Sequence, residues 1–170
     1  TSAAPEVDLA VDVRTEPVPG GEPWAWLPPE PRVWLNVLGP VGARGADLTQ
    51  QQIAALMYLA LHPDPAPSAA QIKDAVWGGV EPTPKRWRDF LYELRRAVGP
   101  GAIVSVGQDG FALGPDVATD ITLVQTLLDR AESHPEQRWV LLERAVQQLC
   151  GVPFTIPRNA AAHWRWIDAE

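Results

Sequence analysis

The stretch Thr83-Pro84-Lys85-Arg86-Trp87-Arg88-Asp89-Phe90-Leu91-Tyr92-Glu93-Leu94-Arg95-Arg96-Ala97-Val98-Gly99-Pro100 decides how the rest of the chain is read. Trp87, Leu91, Leu94 and Val98 recur at i, i+4, i+7 and i+11, which places them on one face of a helix. Thr83 can accept from an amide left free at the helix start, Pro84 suits the first helical position, and Gly99-Pro100 closes the run. The spacing therefore predicts a helix over 84–98. It carries Lys85, Arg86, Arg88, Arg95 and Arg96 against Asp89 and Glu93, a net of +3. Such a charge run suits a solvated face as well as an anion-binding one.

Downstream, Ile103-Val104-Ser105-Val106 and Phe111-Ala112-Leu113 flank Gly107-Gln108-Asp109-Gly110, an Asp-Gly hairpin signal. Upstream, two capping patterns start two further helices. Thr49 with Gln52 opens a helix to His62 with Ile53, Leu56, Met57 and Ala60 on one face. Ser68 with Gln71 opens a shorter one through Trp77, with Ile72, Ala75 and Val76 buried. Before these, the β-rich run Val33 to Leu38 stops at Gly39-Pro40 and can pair with Val41 to Arg44. The expected order is hairpin, three helices, hairpin.

After Pro115 the pattern reads as helical only. Asp120 is expected to cap a helix over 121–132 with Leu123, Leu127 and Leu128 apolar. Pro135 or Glu136 starts another, with Val140, Leu141, Ala145 and Leu149 on its inner face, and residues 160–169 form a last helix. Residues 1–31 hold seven of the eighteen prolines and six acids against Arg14 alone, a net of −5, so they read as an acidic linker. Within it, Val7 to Val13 alternates like an edge strand. The apolar Trp24-Ala25-Trp26-Leu27 would be costly in solvent and is expected to dock on the folded body. The division is thus a linker over 1–31, an α+β domain over 32–115 and a helical subdomain over 116–170.

The 170 residues are 46% hydrophobic and carry −7, of which the linker accounts for most. That composition excludes a disordered or fibrous chain. The single Cys150 excludes a disulfide framework or a Cys-rich zinc site. No apolar run reaches the roughly 18 residues of a membrane span. His62, His134 and His163 show no metal-ligand spacing, and no phosphate loop is present, so no cofactor, metal or enzymatic activity is expected. Cys150 with His163 is the one catalytic pairing conceivable, and a buried structural thiol is the stronger expectation. Eight tryptophans stand out: Trp34, Trp77 and Trp87 read as core, and Trp139, Trp164 and Trp166 as packing of the helical part. Trp24, Trp26, Trp164 and Trp166 read equally as contacts to a partner.

Two helices, a Pro-capped basic third helix and a following hairpin form the winged helix-turn-helix arrangement that reads double-stranded DNA. Val37-Leu38-Gly39-Pro40-Val41, Leu59-Ala60-Leu61-His62-Pro63, Ala75-Val76-Trp77, Leu94-Arg95-Arg96-Ala97-Val98-Gly99 and Gly110-Phe111-Ala112-Leu113 resemble the OmpR-type winged helix of the actinobacterial antibiotic regulatory (SARP) family. Asp120 to Phe154, ending Leu149-Cys150-Gly151-Val152-Pro153-Phe154, is similar to the start of that family's bacterial transcriptional activation domain. The order acidic linker, Trp-rich segment, winged helix also resembles the C-terminal region of larger actinobacterial proteins, some membrane-anchored with LysM modules. The resemblance implies a DNA-binding transcriptional regulator, cytoplasmic or the cytoplasmic part of an anchored protein, with Lys85, Arg86, Arg88, Tyr92, Arg95 and Arg96 meeting DNA. Tyr92 and Glu93 depart from the Ser or Thr and further Arg usual there, and the hairpin tip carries no base. The alternative is a winged helix repurposed for protein interaction through Trp24, Trp26, Trp87, Phe90, Trp164 and Trp166.

Overall fold

The computed structural model describes residues 31–169. The expected edge strand over 7–13 and the docking of Trp24 to Leu27 lie outside them. The fold is α+β. Strands β1 (Val33–Asn36) and β2 (Gly42–Arg44) pair antiparallel, as the sequence indicates. Helices α1 (Gln50–Leu61), α2 (Ala69–Trp77) and α3 (Pro84–Val98) follow, then β3 (Ile103–Val106) and β4 (Gly110–Leu113) as a second hairpin. All three helices start where the caps predict. Thr49 and Ser68 each accept from the amide three residues on while Gln52 and Gln71 return the bond to the cap amide, and Thr83 accepts from Arg86 N.

The next element corrects the reading of 116–170 as purely helical. Val117–Thr119 forms β5, which pairs parallel to β1 and makes a sheet of order β2-β1-β5. Helix α4 (Asp120–Ser133) is capped by Thr119 rather than Asp120. Asp120 is instead 4% exposed and bridges its own helix start and the end of β1. One of its carboxylate oxygens accepts from Val37 N and Leu38 N, both at 2.8 Å, and the other from Ile121 N at 2.9 Å. A single-turn 3-10 segment, Pro135–Gln137, leads into α5 (Arg138–Val146).

Beyond α5 the chain returns to the first hairpin. Cys150 N donates to Leu38 O, Phe154 N to Val37 O, Thr155 N to Gly39 O and Val41 N to Thr155 O, so residues 150–155 grip the 37–41 bend from its backbone side. The approach is close: a Cβ on Gly39 would stand 3.1 Å from the Cβ of Cys150. Instead of one last helix, two 3-10 segments follow, Arg158–His163 and Arg165–Ala169, interrupted at Trp164 with φ −120° and ψ 10°.

Two apolar clusters result. The larger joins Val33, Leu35 and Val37 to α1 (Ile53, Leu56, Met57), α2 (Ile72, Val76) and α3 (Phe90, Leu94, Val98), and it includes Val117, Ala160 and Trp164. The smaller lies between α4 and α5: Leu127, Ala131, Leu141 and Ala145. The main core thus spans the boundary drawn at 115/116, through β5 and through the tail. Val140 and Leu149, expected inside, are exposed: among the described residues α5 packs mainly on α4, and Leu149 lies beyond the end of the helix.

One backbone contact tests the anchoring of the second hairpin. Gly114 N donates to Ala102 O at 2.9 Å, and a Cβ on Gly114 would overlap the Gly101 carbonyl oxygen. Gly114→Ala is therefore expected to cost about 1–3 kcal/mol, since backbone rather than a side chain must give way. Urea unfolding measures it, and an unchanged midpoint would refute this account of the close approach.

Candidate functional site

Helix α3 is built with two sides of opposite character. Phe90, Leu94 and Val98 are buried in the main core, with Trp87 and Leu91 half-buried beside them. Lys85, Asp89, Tyr92 and Arg96 recur at spacings of four and three, so they form one outward row, with Arg88 on one flank and Arg86 and Glu93 on the other. All seven are exposed, Tyr92 at 68%. Arg95 is half-buried near the last turn, where a cation favours the helix C-terminus. Among the described residues no ion pair ties these cations to Asp89 or Glu93. Lys85, Arg88 and Arg96 meet no aromatic ring or acid among the described residues.

Arg86 is the exception. Its guanidinium stands 5.9 Å above the Trp77 ring, a cation–π contact that draws it back over the α2–α3 corner. The corner itself is an aromatic cluster. Trp77 meets Phe90 edge-on at 4.9 Å and Trp87 at 6.1 Å, and Trp87 meets Phe111 of β4 edge-on at 6.2 Å. Lys73 lies 5.8 Å over Trp87 and pairs with Glu81 at 3.1 Å. This cluster fixes α3 relative to both α2 and the second hairpin. The hairpin is further tied to the start of α2 by Phe111 N donating to Pro67 O at 2.9 Å. Its outer residues, Val104, Ser105, Val106, Gln108 and Asp109, are exposed and include no cation.

The residues named for protein contact fare differently. Phe90 and Trp164 are buried, so neither can meet a partner; Trp87 is half-buried within the aromatic cluster. Trp164 packs the main core rather than the helical pair, and Trp166 lies half-buried against it, stacked at 5.9 Å and edge-on to Tyr58 at 5.2 Å. Trp24 and Trp26 lie outside the described residues. Trp34 is half-buried on the sheet face opposite the core. The tryptophan that sequence reasoning missed is Trp139, 82% exposed. A helical wheel carries the signal, since Trp139 lies roughly 140° from the buried direction set by Leu141 and Ala145. Val146, seven residues on, shares its face and is also exposed.

Cys150 is exposed, which corrects the expected buried thiol: the segment 150–155 meets the bend through its backbone, and the side chain is left outside. His163 Nδ1 donates to Val76 O at 2.9 Å and so joins the tail to α2. Among the described residues no group of three or more His, Cys, Asp and Glu side chains is placed to hold a metal ion, and no helix is long and apolar enough to cross a membrane. Neither a known family model nor any curated protein sequence matches the chain.

Proposed function

We propose that the chain is a SARP-like DNA-binding transcriptional regulator module, in which residues 32–115 act as an OmpR-type winged helix. In this reading α3 enters the major groove and β3–β4 is the wing. The observation that carries it is the outward row of α3. The fifteen-residue helix is anchored by Phe90, Leu94 and Val98, and the opposite side presents Arg88, Arg96, Lys85 and Tyr92 with no partner for the cations among the described residues. A reading helix needs such a division, an anchored apolar side and a donor-rich polar one. Arg88 and Arg96 offer the bidentate fork that fits guanine, and Lys85 and Arg95 serve as backbone contacts. Arg86, held over Trp77, positions the corner and in this reading meets phosphate. Asp89 can accept from a cytosine amino group. The wing, with Asp109 at its tip, leaves the phosphate contacts to α3. A module of this kind works in the cytoplasm, where the chromosome is.

The test is binding of a fluorescent mixed-sequence duplex at several salt concentrations. Three phosphate contacts, from Lys85, Arg86 and Arg95, predict a log–log salt slope of roughly −2.7, and Lys85→Ala/Arg95→Ala is expected to bring it to about −0.9. The same pair is expected to weaken binding about 30- to 150-fold, at about 1–1.5 kcal/mol per lost contact. Absence of binding by the wild type at low salt overturns the proposal.

A second reading, protein interaction, is favoured by a different surface from the one expected of the sequence. Trp139 and Val146 on the outer face of α5, with Leu149 and Val152 just beyond it, are all exposed. Exposed apolar residues gathered on one element mark contact surfaces more often than scattered ones do. The duplex titration divides the two readings, because a chain that ignores DNA at low salt leaves this face as its interaction surface.

A further inference from the structure

The β2-β1-β5 sheet has two faces, and only one is used by the core. Val33, Leu35 and Val37 are buried on it. On the other face stands Trp34, with Arg44 opposite it on β2 and Ala118 opposite it on β5. Register partners share a face, so these three side chains form a row across all three strands. The Arg44 guanidinium lies 6.0 Å over the Trp34 ring. Facing the row are Thr122, Leu123 and Thr126 of α4, with Arg144 and Gln148 from α5 and its end. Together they enclose a cleft of about 720 Å³, also lined by Pro31 and Arg32. The Trp34 indole nitrogen is shielded from solvent and has no hydrogen-bond partner among the described residues.

An occupant suited to this cleft is aromatic, to stack on Trp34 and Leu123, and acidic, to meet Arg32, Arg44 and Arg144. The chain carries that chemistry directly upstream of a cleft residue: Glu22-Pro23-Trp24-Ala25-Trp26-Leu27-Pro28-Pro29-Glu30 leads straight into Pro31. We propose that this segment docks in cis in the Trp34 cleft, Trp24 and Trp26 against the sheet face and Glu22 and Glu30 toward the arginines. The spacing is compatible. Extended proline-type chain rises about 3.1 Å per residue, so Pro28 to Pro31 keep Leu27 within about 12 Å of the cleft. Tethering supplies an effective concentration in the millimolar range, enough for a modest contact to be occupied. No residue of α3 lines the cleft, so occupation leaves the α3 face open, and the inference stands independently of the DNA reading.

The experiment compares amide and indole NMR spectra of the full chain with those of Trp24→Ala/Trp26→Ala. Shift changes are expected at Arg32 to Trp34, Gly42 to Gly45, Ala118 to Thr126 and Arg144 to Gln148, and not along α3. In the full chain, Arg44→Glu is expected to speed solvent exchange of the Trp24 and Trp26 indole N–H groups at least tenfold while the amide pattern of the core stays native. Unchanged cleft resonances in the double variant overturn the proposal, as do changes centred on α3 or on Trp139. A cleft signature that fades on dilution along with a dimeric mass also overturns it, by assigning the occupant to a second copy.

Discussion

Trp164→Ala is expected to lower the unfolding free energy by about 3–5 kcal/mol, the range for removing a buried aromatic side chain together with the cavity it leaves. In a chain of this length that corresponds to a fall in Tm of about 6–20 °C. Trp164 is 2% exposed and lies in the same cluster as Ile53, Leu56 and Val76. Its loss opens the space between the tail and the α1–α2 pair. The Nε1 of Trp164 is buried and unpartnered among the described residues, so Trp164→Phe, which removes that donor and keeps most of the apolar volume, is expected to cost less than half as much. Urea unfolding followed by far-ultraviolet circular dichroism measures both. A loss under 1 kcal/mol for the alanine variant would show that the tail is an accessory rather than part of the core.

The second large effect is expected at Asp120. Asp120→Ala deletes the acceptor for three backbone N–H groups, two of them at the end of β1 and 83 and 82 residues away in sequence. A hydrogen bond to a charged group contributes about 1.5–3 kcal/mol, and a buried donor left without a partner costs about as much, so the variant is expected to lose about 3–5 kcal/mol. The carboxylate also stands at the first turn of α4, where negative charge is favoured by about 0.3–1 kcal/mol. Asp120→Asn keeps one carbonyl oxygen for Val37 N and Leu38 N but turns a donor toward Ile121 N, and an intermediate loss is expected. Native-state amide exchange adds a local readout. Val37 and Leu38 should lose more protection than the amides of α1, and equal loss throughout would deny Asp120 its part in joining α4 to the sheet.

Much of the fold was legible because it is written in short-range chemistry. Thr49 with Gln52, Ser68 with Gln71, and Thr83 with Pro84 mark three helix starts within four residues each, and Gly78, at φ 60°, marks the end of α2. The division of α3 into a core side and a cationic side follows from 3.6-residue periodicity alone, and all six residues proposed for DNA contact keep their heads on the outer side or at its margin. The second hairpin follows from Asp109-Gly110.

What could not be read depends on partners far away along the chain. Val117-Ala118-Thr119 is too short to show an alternation, and it is a strand only because β1, 84 residues earlier, offers its edge. Asp120 has the signature of a local cap, yet its carboxylate also accepts across the molecule from Val37 N and Leu38 N. Trp164 and Trp139 are the same residue type in stretches that both read as helical from the sequence, yet one fills the main core and the other faces solvent. The local sequence determined α1, α2 and α3, their caps and the charge of the α3 face, because those rest on interactions within about four residues. Only the tertiary structure decided which tryptophans are interior, that the tail completes the core, and that a cleft lined by Trp34 and three arginines opens behind the sheet, because burial and strand pairing depend on segments that meet solely in the folded chain.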